Sequence, residues 1–213
     1  MYRPKYTIED RPEVLLRVMR ENAFAVLMTA GEAGAIGEAT HLPVIVRERA
    51  GGVIALEMHV ARPNRVWEKT GEGREALVVF SGPHAYISPA WYVNRETVPT
   101  WNYVAVHAYG PTERMEGDEL RAHLDELVEV NERAAGTGWS LEATPEKYLA
   151  GLRHGVVGIR LVVNRLEGKV KMGQNRAAED REGAIAGLRG TGGAGHAAVA
   201  EWMVGAGQDE VDD

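Results

Sequence analysis

Phe24-Ala25-Val26-Leu27-Met28-Thr29, then Gly31 and Gly34, then the run 36–46, then Gly51-Gly52, then Val53-Ile54-Ala55-Leu56-Glu57-Met58-His59, decides the fold. Apolar runs this short, interrupted by glycine and closed by polar residues, carry the texture of strands. Gly31 and Gly34 separate the first pair of runs and Gly51 and Gly52 the next, where hairpin turns need residues that tolerate positive φ, so the pairing is antiparallel. Residues 76–81, 85–88 and 100–109 continue the pattern, for about six strands in succession.

Working outward, Pro12 followed by Val14, Leu15, Val18 and Met19 predicts an opening helix capped by Asp10. Asp118 ahead of Leu120, Leu124, Leu127 and Val128 predicts a helix reaching Ala135, and Thr144-Pro145 opens a shorter one through Tyr148 and Leu152. Residues 156–166 and 169–172 return to strand texture. After Asn175, alanine alternates with charge up to Leu188, a glycine-rich break covers 190–195, and a short final helix occupies 197–204. Helix, strands, helices and strands again, without alternating crossover helices, make a mainly β, α+β chain: an antiparallel barrel or sheet with flanking helices. Neither a G-x-G-x-x-G between strand and helix nor a G-x-x-x-x-G-K-[ST] occurs, which disfavours dinucleotide-binding and P-loop folds. A single domain over 1–205 and an acidic, flexible tail over 206–213 are expected.

The 213 residues are enough for a proper core, and hydrophobic and charged fractions of 45% and 26% are those of an ordinary globular protein. The cysteine count is zero, so disulfide scaffolds, thiolate metal sites and cysteine nucleophiles are all excluded. The formal charge of -7 opposes phosphate backbones and anionic membranes. No apolar run is long enough to span a bilayer and the first twenty or so residues lack a signal-peptide core, so a cytoplasmic address is expected. The seven histidines form no H-E-x-x-H or similar pattern and no serine sits in a G-x-S-x-G elbow.

Polar and aromatic residues concentrate in four stretches at strand ends. Thr40 and His41 interrupt an otherwise apolar strand, either as its solvent face or as an edge turned to a ligand. His59-Val60-Ala61-Arg62-Pro63-Asn64-Arg65 joins a strand to a helix start near Asn64, either an anion site suited to phosphate or an ordinary turn with surface arginines. Trp91, Tyr92, Trp101 and Tyr103 cluster within a short span, as core, as a dimer interface or as a stacking surface for a planar heterocycle. Lys169-Val170-Lys171-Met172-Gly173-Gln174-Asn175-Arg176 offers cations and amide donors to phosphate or carbonyl oxygens, or forms a loop and helix cap.

These stretches resemble the PaiB-like family of FMN-binding negative transcriptional regulators. The resemblance rests on Met1-Tyr2-Arg3-Pro4-Lys5-Tyr6, Ala39-Thr40-His41-Leu42-Pro43, His59-Val60-Ala61-Arg62-Pro63-Asn64, Ser81-Gly82-Pro83-His84-Ala85-Tyr86-Ile87-Ser88-Pro89, Val98-Pro99-Thr100-Trp101-Asn102-Tyr103 and Lys171-Met172-Gly173-Gln174-Asn175-Arg176. Gly173 stands where the family more often carries serine, and the glycine-rich segment 190–207 is peculiar to this chain.

The resemblance implies an antiparallel FMN-binding split β-barrel and a homodimer with FMN at the subunit interface. It assigns the phosphate to Arg62, Asn64 and the backbone near Ala61, with Lys171 and Gln174 adding charge and hydrogen bonds. Thr40 and His41 address the flavin edge, Trp101 and Asn102 a ring face and a polar edge, and Trp91 and Tyr92 the adjoining pocket, with His59 and Asn175 completing the cofactor contacts. The function it implies is a flavin-dependent sensor and negative transcriptional regulator. A flavin oxidoreductase is the alternative, because the isoalloxazine itself carries the electron chemistry. Third comes a haem-binding or haem-degrading split barrel, with His84 or His107 as axial ligand. DNA or a protein is the regulatory partner; the net charge and the lack of a basic recognition helix count against direct DNA contact.

Overall fold

A computed structural model describes residues 1–31 and 37–208. In chain order the first elements are β1 (Ile8–Glu9), α1 (Pro12–Glu21), β2 (Phe24–Thr29), β3 (Ala39–Pro43), β4 (Ile45–Glu48) and β5 (Ile54–Ala61). There follow β6 (Glu75–Ile87), β7 (Thr100–Met115), α2 (Gly117–Ala135), α3 (Glu146–His154), β8 (Val156–Val162), β9 (Arg165–Lys171), α4 (Ala178–Thr191) and α5 (Ala194–Gln208). Short 3-10 turns occupy 65–69 and 89–91, among others. Hydrogen-bonded strands follow the order β3-β2-β6-β7-β8-β5-β4, and β9 pairs with β1 and β7. The β1–β9, β2–β3, β2–β6, β4–β5, β5–β8 and β7–β8 ladders are antiparallel. Among the described residues, no helix is long and apolar enough to cross a membrane.

The chain divides into two compact units, one comprising Met19–Phe80 and His107–Leu166, the other Met1–Val18, Ser81–Val106 and the residues from Glu167 onward. The first unit buries Leu27, Leu56, Met58, Phe80, Met115, Ile159 and Leu161, supplied at alternate positions by its strands. One buried position on β5 is charged. Glu57 lies opposite Ile45 on β4 and Arg160 on β8, and its carboxylate accepts from Arg47 Nε at 2.6 Å and Arg160 Nε at 3.0 Å. Burial by itself raises the Glu57 pKa, but the two guanidiniums outweigh it and hold the carboxyl below its ordinary value.

The second unit buries Ile87, Val104, Met172, Leu188, Val199 and Met203. Its β1–β9 ladder runs close: a Cβ on Gly168 would lie 2.2 Å from the Leu15 side chain and 2.4 Å from the Glu9 carbonyl oxygen, so only glycine fits there.

Several boundaries differ from the sequence reading. The expected strand over 36–46 is two, β3 and β4, parted at Val44, whose amide bonds the Ala23 carbonyl at 2.9 Å. Residues 76–81 and 85–87 belong to one strand, which ends at Ile87 with Ser88 capping the next turn and passes through Gly82-Pro83 because Gly82 lets the backbone approach Val104; a Cβ there would sit 3.0 Å from Val104 Cβ. The 156–166 run breaks after Val162 and resumes as β9. Glu116, not Asp118, holds the N-cap position of α2, with Gly117 at φ 55° behind it. At the start of α1, the Arg11 amide donates to the Glu9 carboxylate at 2.9 Å, while Asp10 takes Arg3 at 2.8 Å. Residues 178–191 are fully helical, and the last helix extends to Gln208. The Gly34 turn position, the start of the 36–46 run and the end of the acidic tail lie outside the described residues.

Candidate functional site

The site residues expected from the sequence fall into two sets, one in each unit. In the Met19–Phe80 and His107–Leu166 unit, β3 carries Thr40 and His41, β5 carries His59 and Ala61, and the turn after β5 carries Arg62 and Asn64. The structure brings Thr40 and Asn64 together: Asn64 Nδ2 donates to Thr40 Oγ1 at 2.9 Å, and Asn64 Oδ1 accepts from the Val66 amide at 3.2 Å, capping the 65–69 turn. The Asn64 amide closes the turn on the Ala61 carbonyl at 2.8 Å. Arg62 donates to two main-chain carbonyls, that of His154 at the end of α3 at 2.9 Å and that of Val156 at the start of β8 at 3.0 Å, and remains exposed. Its own carbonyl accepts from Trp67 Nε1 at 2.8 Å. His41 is exposed and stacks on Phe24, the ring centroids 6.1 Å apart. His59 turns to α2, where its Nδ1 lies 3.2 Å from Nε2 of the buried His123.

In the other unit, Lys171 ends β9, and its ammonium donates to Thr100 Oγ1 at 2.5 Å and to the Trp101 carbonyl at 2.8 Å. Trp101 is 54% exposed, edge-on to Tyr86 with centroids 6.0 Å apart, and 6.3 Å from the His84 ring. Asn102 is buried, donating from Nδ2 to Met203 Sδ at 3.4 Å. Gln174 folds back on its own loop, accepting from the Met172 amide at 2.8 Å and donating to the Val170 carbonyl at 2.7 Å. Gly173 sits at φ 78°, a left-handed turn position that a serine would occupy only with strain. Asn175 is exposed beside it. Tyr92 is buried beneath Arg176, whose guanidinium carbon lies 5.0 Å from the ring centroid. Trp91 packs against α4, where a Cβ on Gly187 would lie 2.3 Å from the indole.

Two residues of the donor-rich stretch 169–176, to which the resemblance gives no flavin contact of their own, complete a cationic cluster here. Lys169, two positions before Lys171 on β9 and so on the same face, is buried, donates to the Tyr2 carbonyl at 3.0 Å and sits 5.1 Å from the Tyr103 ring centroid. Arg176 is the other. Lys171 has its pKa lowered, first by burial and then by the charges of Lys169 and Arg176. Among the described residues, none of the three forms a salt bridge with a carboxylate. Cations held on neutral oxygens and aromatic faces, with no carboxylate to neutralise them, form the donor set that a phosphate monoester requires. The half-exposed Trp101 in the same unit offers an aromatic face. These residues fit a phosphorylated, planar cofactor.

Comparison with known proteins points the same way. Residues 1–165 match a family model described as "Putative FMN-binding domain". The chain is 35% identical over 180 residues to the protease synthase and sporulation protein PAI 2 of Bacillus subtilis, covering 84% of this chain and 85% of that protein. Among solved structures it is similar to the FAD- and haem-binding protein of Mycobacterium smegmatis, with a TM-score of 0.58, 16% identity, and coverage of 84% of this chain and 80% of the other. It is also similar to the flavocytochrome Anf3 of Azotobacter vinelandii, with a TM-score of 0.57, 13% identity, and coverage of 80% and 72%. Those likenesses agree on the fold, an antiparallel split barrel with flanking helices. With its family model, its PAI 2 relative and its donor set in agreement, the chain belongs to the PaiB-like family of FMN-binding proteins, and FMN is its cofactor.

Proposed function

We propose that the protein is a cytoplasmic, homodimeric flavin-dependent regulator that represses its targets through a protein partner, with FMN setting its conformation. The observation that carries the cofactor half of this reading is the cluster of Lys169, Lys171 and Arg176 without a carboxylate partner among the described residues. The regulatory half is supported by the PAI 2 relative, whose name refers to protease synthesis and sporulation. When bound, the flavin supplies one- and two-electron exchange. The protein's part is to hold and orient it: Lys171 and Arg176 take the phosphate, Lys169 adds charge from the same strand face, and Trp101 covers a ring face.

FMN titration of the purified protein tests it. Lys171→Ala and Arg176→Ala each remove a charge-assisted contact and are expected to weaken FMN about tenfold or more, while Lys5→Ala, on an exposed residue outside the cluster, leaves affinity unchanged. Unchanged affinity in both cluster variants removes the phosphate from this place. Gene expression in a strain lacking the protein, complemented with the wild type or Lys171→Ala, tests the regulatory half, which fails if both restore repression equally. Steady NAD(P)H turnover by the holoprotein would instead favour the oxidoreductase reading.

A second reading has one observation in its favour. His84 donates from Nδ1 to the Gly82 carbonyl at 3.2 Å, which fixes Nε2 as the basic nitrogen an axial haem ligand presents. Haemin titration distinguishes it, since a Soret shift abolished by His84→Ala would establish haem ligation there.

A further inference from the structure

The C-terminal part of α2, the turn after it and α3 line a groove of about 1130 Å³. It is built from one unit alone. α2 ends on Gly136 in the left-handed conformation, φ 65°, with its amide on the Glu132 carbonyl at 2.9 Å. Gly138 follows at φ 72°, and the Trp139 amide donates to Thr137 Oγ1 at 3.1 Å. This double-glycine turn presents Trp139, 49% exposed, beside Val130, 44% exposed, with Leu141 and Leu149 also in the lining. The helices have apolar surface to spare: of α2's residues only His123 is buried, and none of α3's is. The lining also carries six carboxylates against three arginines. All three arginines are already engaged by lining carboxylates, Arg153 with Glu146 at 2.6 Å, Arg121 with Asp125 at 3.7 Å, and Arg133 with Glu129. The C-terminal end of α2 adds its partial negative charge.

We propose that this groove docks a basic amphipathic helix of a protein partner. An apolar floor of aliphatic side chains with a half-exposed tryptophan, rimmed by excess negative charge, complements a helix with leucine-like anchors on one side and lysine or arginine on the other. Nucleic acid and anionic lipid carry the wrong sign. The inference rests on the reading that the protein regulates through a protein partner, and it gives that partner its chemistry.

The test uses the FMN-loaded full chain and a fluorescein-labelled synthetic helix of leucine and lysine in amphipathic order, with a scrambled peptide of identical composition as control. Anisotropy is expected to report saturable binding of the ordered peptide only. Trp139→Ala and Glu142→Lys, both at exposed positions outside the cofactor site, are each expected to weaken it about tenfold with FMN affinity unchanged. Equal binding of the scrambled peptide, or wild-type affinity in both variants, overturns the proposal. So does sedimentation showing that Trp139→Ala abolishes self-association, since the occupant is then a second copy. Loss of the groove with flavin binding and repression intact refutes docking alone; loss of repression control by FMN refutes the regulatory reading instead.

Discussion

His59 and His123 form an acid-sensitive pair between β5 and α2. Their rings meet edge-on, centroids 5.4 Å apart, and Nδ1 of His123 is buried without a hydrogen-bond partner. Burial, and then the proximity of His59, push the His123 pKa from its ordinary 6.5 down to about 4; Arg47 adds to this, while Glu57 and Glu126 oppose it. The His59 pKa is lowered by burial as well. A histidine whose folded pKa is depressed is protonated in the unfolded chain first. Stability is therefore complete above the ordinary pKa and is lost as pH falls from 6.5 toward 4, by on the order of 3 kcal/mol for His123. Urea unfolding across that window is expected to show a flatter pH slope for His123→Leu than for the wild type; parallel slopes would show that the pair does not titrate with folding. The sequence held a signal for this residue, because His123 falls on the Leu120, Leu124, Leu127 stripe of α2. What it lacked was the partner on β5, sixty-four positions away.

At the scale of elements, α4 shows how small residues do the work of a core face. Asp180, Gly183 and Gly187 recur at helical spacing. Asp180 Oδ1 accepts from the Val93 amide at 2.8 Å and the Asn94 amide at 3.1 Å, while the two glycines admit the Trp91 carbonyl and indole. One helix face thereby docks the whole 88–94 loop. Gly187→Ala gains about 1 kcal/mol of helix propensity but forces a Cβ to 2.3 Å from the Trp91 ring, where overpacking costs about 1–3 kcal/mol, so a net loss of stability is expected. Gly190→Ala, with open space around the added Cβ, is expected to be neutral or mildly stabilising. Thermal unfolding of the pair decides it: equal midpoints would mean that Trp91 is not held there. An alanine, glycine and charge pattern carries little hydrophobic periodicity, which is why the sequence reading saw texture at 178–188 rather than a docked helix.

For the whole molecule, the formal charge of -7 counts against direct contact with DNA. With six carboxylates around the α2–α3 groove and no basic recognition helix, promoter DNA is expected to show no mobility shift at about 0.15 M salt; a shift that weakens as salt rises would restore direct DNA contact. The sequence by itself determined the antiparallel class, the helices α1, α2 and α3 and the four polar stretches, because side-chain period, glycine turns and proline starts are local and act wherever they occur. Only the tertiary structure decided which of those residues meet. It joined 76–81 and 85–87 into one strand and set Asn64 on Thr40. It also turned His59 to α2, and gathered Lys169, Lys171 and Arg176 into one cationic cluster. Those outcomes depend on strand register and on which polar groups lose water together, and both are settled between residues far apart in the chain.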